Sequence, residues 1–203
     1  WKIKNVACRY AATNNGFFSE RYCYGGGVFI DCEGTGNFED GLNMNGSCHI
    51  ADFGSRWNDN GGDGASPHFE NNEYYAHNVK YNGNGKIGFP DVSTSGTYDF
   101  TDCEALDSRG NSGIFAGDMT FENSGSGNTV VRMNKVLSDL VRINPTTAST
   151  TTATIKNHTG AILLKCDTFD VDGIECVNNT TQTAAVLVTA GTGRVDRVWL
   201  LNN

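Results

Sequence analysis

Short apolar runs alternate with polar corners along most of this chain, at a period close to 24 residues. Strand-like segments line up beneath one another: Asp31-Cys32, Asp52-Phe53, Asn78-Val79 and Asp102-Cys103, then Glu175-Cys176 and Arg197-Val198. Each places a polar residue before an apolar one, the alternation of a half-buried strand. After a corner rich in Asn, Asp and Gly comes an X-Gly step that opens a second short strand. Asp40-Gly41, Asp63-Gly64, Ile87-Gly88 and Ser112-Gly113 stand 23, 24 and 25 residues apart. Cys32, Val79 and Cys103 precede their glycine by nine or ten residues, and Phe53 by eleven. Self-similarity at a fixed period predicts a stacked repeat.

The cycle is too short for a strand–helix–strand unit and for a propeller blade. It fits an all-β, single-stranded parallel β-helix. About eight rungs at about 4.8 Å would give a rod of roughly 40 Å. Asn58, Asn82 and Asp107 are the expected polar ladder along one corner. Two excursions are expected, near 19–27 and near 145–154. Residues 133–141, the best helical candidate, read equally well as a pair of strands. Residues 1–203 form one elongated domain, expected to be a piece of a longer chain.

Hydrophobic content is 38%, with 25 glycines and three prolines. Glycine and asparagine tolerate the left-handed turns that a coil needs at its corners. The net charge of −8 and pI near 4.9 disfavour nucleic acid as a partner and suit a neutral glycan. Seven cysteines cannot all pair within the chain. Cys32, Cys103 and Cys176 read as small buried hydrophobes made in a reducing cytoplasm. Zinc-type spacing is absent, and with no apolar run near 18 residues no membrane insertion is expected.

The rungs at 52–68 and 102–114 are similar to those of the right-handed parallel β-helix family, the pectin-lyase-like superfamily, and within it to bacteriophage tailspikes and polysaccharide depolymerases. That resemblance implies a right-handed coil and binding, usually cleavage, of a bacterial surface glycan, often by a homotrimer. It implies a place in a virion tail after synthesis in the bacterial cytoplasm, with a secreted or cell-surface setting as the alternative. It supplies no catalytic pair.

Candidate chemistry comes from the stacking itself. Asp40 and Asp63 occupy equivalent places on consecutive rungs. Carboxylates about 5 Å apart match a retaining glycosidase, while Asp-Gly is also ordinary turn chemistry. His68 and Asp91, each after a proline, form an auxiliary proton-transfer pair, or His68 is a surface residue. Trp57 and Tyr81, with Tyr74, Tyr75 and His77 nearby, form a sugar platform or are buried in the coil. Asp59, Asp107 and Arg109 are substrate-binding corner residues or a solvated ion pair. No cofactor is expected; the alternative is a calcium ion held by Asp59, Asp63 and neighbouring carbonyls, without the spacing of an EF-hand loop. Three functions follow: a glycan hydrolase, a non-enzymatic receptor-binding or structural shaft, and a uronate lyase or epimerase. The last needs cations, for which Arg56, Lys80, Lys86 and Arg109 are available.

Overall fold

The computed structural model describes all residues except 20–25, 47, 70–71, 94, 108–118, 123–126, 146–149, 178–185 and 202–203. The described residues contain no helix, and their strands stack in parallel as a β-solenoid of about 7 turns. The first face runs through β1 (Lys2–Lys4), β4 (Gly26–Ile30), β7 (His49–Phe53), β9 (Asn72–His77), β11 (Gly96–Thr101) and β14 (Thr129–Asn134). The second runs through β3 (Phe17–Ser19), β6 (Leu42–Asn45), β8 (Ala65–Phe69), β10 (Phe89–Ser93), β13 (Met119–Phe121) and β15 (Leu137–Ile143). The third joins β2 (Ala7–Arg9) to β5 (Glu33–Thr35), then continues by bridges through Arg56 and Lys80 to β12 (Glu104–Ala105).

Residues 133–141 are indeed the end of one strand and the start of another. Of the second expected excursion, residues 146–149 lie outside the described set, and Thr151–Thr154 instead open β16 (Thr151–Val177). Threonine branches at Cβ and favours extended backbone. β16 carries the chain round a shortened rung, with Thr152 Oγ1 3.0 Å from Thr168 Oγ1 only 16 residues on. β17 (Val186–Leu201) pairs along it. Of the first excursion, residues 20–25 lie outside the described set.

Inward side chains stack in columns, and these correct the sequence alignment at one rung. Phe53 pairs with Ile30 and His77 and is 43% exposed. The residue in line with Cys32, Val79 and Cys103 is Ser55. The anomalous spacing of Phe53 from its glycine was therefore a two-residue slip, which preserves the face but not the slot. The interior is strongly aromatic, with Phe29 against Trp57 and Phe89 against Phe100 at centroid distances of 5.4 and 4.9 Å. Cys32, Cys103 and Cys176 are buried free thiols. Burial pushes the Cys103 thiol up to about 12, so it behaves as a small apolar side chain.

The X-Gly step has a steric cause. A Cβ on Gly41 would lie 2.7 Å from the Gly64 carbonyl oxygen and 2.8 Å from Asn60 Nδ2, and one on Gly64 2.4 Å from the Gly88 oxygen and 2.9 Å from Asn84 Nδ2. The glycines make room for a buried amide ladder. Asn60 Oδ1 accepts from Asn37 N and Nδ2, and Asn84 Oδ1 accepts from Asn60 N and Nδ2. The expected ladder also exists, but runs Asn58, Asn82 and then Leu106 rather than Asp107. Asn82 N donates to Asn58 Oδ1 and Leu106 N to Asn82 Oδ1.

Asn60→Ala strands Asn37 and Asn84 inside the coil, whereas Asn58→Ala removes one bond at a half-buried corner. The expected losses are about 2–4 and about 1 kcal/mol respectively, read from urea denaturation midpoints. Equal losses would show that the inner ladder has no special weight.

Candidate functional site on the outer faces

Asp40 and Asp63 stack on consecutive rungs just before β6 and β8, as their spacing predicts. Their first task is structural. Asn15 Oδ1 accepts Asp40 N at 2.9 Å, Asp40 Oδ1 accepts Asp63 N at 2.8 Å, and Asp63 Oδ1 accepts Ile87 N at 2.9 Å. Asp40 is 7% exposed, and its Oδ2 accepts from Asn43 Nδ2. Among the described residues nothing bonds Asp63 Oδ2. Burial, reinforced by the neighbouring Asp40 charge, raises the Asp63 carboxyl to about 6 against the pull of the Ile87 amide and Lys86.

His68 stands on the same outer face, with Nε2 2.8 Å from Ser66 Oγ. Its pKa is lowered chiefly by burial, with Lys86 adding and Asp40 opposing. The expected pairing with Asp91 is not in register: His68 lies opposite Val92, one position beyond Asp91. Asp40, Asp63, Ser66, His68 and Lys86 therefore make a polar cluster on the second face. Ser66 and the inward stacking behind it were not singled out in the sequence; their signal was the i, i+2 spacing of Ser66 and His68 on a strand.

Trp57 and Tyr81 are corrected more severely. Both are fully buried, in one inward column above Gly34, so neither can stack on an external sugar. Their polar ends join a buried network around Asp52, which the alternation of polar and apolar positions had put on the outside. Asp52 is 0% exposed, in line with Phe29 and Ala76. Its Oδ2 accepts from Trp57 Nε1 and Tyr74 OH, both at 2.7 Å, and Tyr81 OH donates to Tyr74 OH. Its Oδ1 has no partner among the described residues.

Asp59 and Asp107 are exposed corner residues with left-handed φ of 54° and 57°. Gly83 separates them on the rung between, so they do not meet, and Arg109 lies outside the described residues. Of the cations, Arg56 and Lys80 stand on the third face, where Lys80 is held by Glu104 at 3.2 Å. Lys86 belongs to the second-face cluster, so these three do not converge. Among the described residues no three His, Cys, Asp or Glu side chains come together around an ion.

The aromatic platform is on the first face instead. Phe53 on β7 and Tyr75 on β9 are each 43% exposed. With His77, Asp99 and Thr101 they line a shallow groove of about 220 Å³. Side chains alternate along these strands, so Tyr74 points in to Asp52 while Tyr75 points out.

Two buried titratable groups act on stability. Burial raises the Asp52 carboxyl from 3.8 to about 6, so the folded state holds its proton more tightly than the unfolded chain. That contribution is complete below about pH 4 and lost as pH rises through 6. His158 sits in the column of Cys103 and Val136, and neither ring nitrogen has a hydrogen-bond partner among the described residues. Burial lowers it from 6.5 to about 4, so its contribution is complete above pH 6.5 and lost as pH falls through 4. The two effects oppose each other over the same window. His158→Leu removes one of them. Relative to the wild type, the variant is expected to gain about 2 kcal/mol between pH 7 and pH 5, measured by urea denaturation at both. A difference independent of pH would refute the buried neutral imidazole.

The fold and these surfaces define a parallel β-solenoid with a polar cluster on one outer face and an exposed aromatic groove on another. No known family, no curated protein and no solved structure matches the chain.

Proposed function

We propose that this solenoid binds a polysaccharide in the groove between Phe53 and Tyr75. The carrying observation is the exposure of two aromatic side chains on adjacent strands, bordered by Asp99, Thr101 and His77. An aromatic face suits the C–H face of a sugar, and the polar border suits its hydroxyls. The groove crosses three stacked strands, β7, β9 and β11, which favours a chain of sugars over a single one. The acidic chain favours a neutral or cationic glycan over a polyanion.

Tyr75→Ala is expected to weaken binding by about five- to tenfold, the worth of one aromatic stacking contact, while leaving thermal unfolding unchanged. The measurement is affinity across a polysaccharide panel that includes bacterial surface polysaccharides, the class implied by the resemblance of the rungs. Unchanged affinity for every ligand would reject the groove.

A second reading, cleavage of the glycan on the second face, is favoured by Asp63. Its carboxyl titrates near 6 and keeps one oxygen open beside Asp40. A protonated acid next to a carboxylate is the pairing a glycosidase needs. Because Asp40 is nearly buried and both its oxygens are bonded, Asp63 is the better-placed member. Asp63→Asn preserves the acceptor for Ile87 N and removes the acid. Reducing-end release is expected to vanish in this variant, and in the wild type to fall as pH rises through about 6. Binding without any release by the wild type would leave the non-enzymatic reading alone.

A further inference from the structure

We infer that the groove selects a glycan bearing a free, protonated amine, and that Asp99 is the residue that recognises it. The inference rests on the groove being a glycan site and adds the chemical class of its ligand. Of the acidic side chains on or beside this face, Asp31 stands at a corner outside the groove. Glu73 is engaged by His49 at 2.9 Å, and Asp102 stands 3.8 Å from both His77 and Lys135. Asp99 differs. It lines the groove, yet among the described residues no basic nitrogen comes within 4.0 Å of it and no donor bonds it. Its neighbour one rung on is Arg132, directly opposite in the β11–β14 register, and even this side chain forms no ion pair with it.

The aromatic rings on the other side of the groove complete the argument. A ring presents its negative face to a cation, an attraction of about 0.5–1 kcal/mol at an exposed site. An unpaired carboxylate in register with Tyr75, with Phe53 across the groove, thus offers two independent attractions to an ammonium group and only one to a neutral hydroxyl. An N-acetyl group removes the charge and forfeits both. Arg132 is the competitor: where it swings toward Asp99 it occupies the ammonium's place.

The test uses three tetrasaccharides of one linkage: β-1,4-glucosamine, its N-acetylated form, and the glucose equivalent. Affinities are measured at low salt for the wild type, Asp99→Asn, Arg132→Gln and Glu39→Gln. Glu39 is an exposed acid at another corner, so its variant loses the same charge elsewhere. The wild type is expected to prefer the amine form about fivefold, in line with one exposed ion pair plus one cation–π contact. Asp99→Asn abolishes the preference, Glu39→Gln keeps it and Arg132→Gln increases it. A preference that survives Asp99→Asn, or is lost equally in Glu39→Gln, overturns the inference as mere long-range attraction. Equal, Tyr75-dependent affinity for all three sugars overturns the amine specificity and leaves the groove intact. Binding of none of these sugars, nor of any panel polysaccharide, overturns both.

Discussion

The buried amide ladder through Asn37, Asn60 and Asn84 is the interaction on which this coil depends. Parallel stacking sets each rung about 4.8 Å above its neighbour, the distance at which one amide reaches the next. Each inward asparagine bonds its neighbour's backbone and side chain together, which closes the corner where the sheet must turn. A buried amide left unpaired is costly, so the ladder works only as a series. It also dictates the glycine column: with Asn60 Nδ2 and the next glycine's oxygen so near, nothing larger than hydrogen fits at Gly41 or Gly64. The most visible repeat in the chain is thus the negative image of a ladder that repeats three or four residues earlier.

The same logic sorts the acidic residues. Stacking that brings two carboxylates together also brings each within reach of the next rung's amide. Asp40 and Asp63 both hold such an amide, and Asp40 gives its second oxygen to Asn43. A carboxylate that bonds through both oxygens has little left for chemistry; one that keeps an oxygen open, as Asp63 does, retains a proton-transfer capacity. The change from Asp63 to Ile87 then has a simple cause. Ile87 donates its backbone N–H to Asp63 Oδ1, and its apolar side chain carries the ladder no further.

The stacked, helix-free architecture was legible in the sequence because period and alternation are both properties of the backbone path. Side-chain destinations were legible only where a column is uniform. The column of Cys32, Val79 and Cys103 announced itself, but Ser55 broke it, and the apolar Phe53 drew the alignment two residues off. A shift of two keeps each residue on its own face, so hydrophobic alternation could not expose the error. Pairing register could. Aromatic residues carried the same ambiguity. Trp57 and Tyr81 share with Tyr75 a composition suited to sugars, and only the register tells which of them points outward. The inner amide ladder was missed because Asn-rich corners offer several candidates, and Asn58 and Asn82 form a real but lesser ladder beside it.

Asp52 and Asp99 show how far position outweighs residue type. They stand two rungs apart on the same face, one pointing in and one pointing out. Inside, the carboxylate faces indole and phenol donors, yet desolvation outweighs those bonds and its pKa rises to about 6. Its cost is the loss of water around the charge. Outside, Asp99 is half-buried on the groove wall, where a ligand can reach it. The coil tolerates the first because Trp57 and Tyr74 donate to it and Tyr81 donates to Tyr74, and that arrangement holds three large aromatics inside. On the outer side of the same two strands, Phe53 and Tyr75 stay exposed and line the groove. Both lie on β7 and β9, the two strands that also carry Asp52 and Tyr74 inward. The buried network and the exposed groove are therefore opposite sides of one pair of strands.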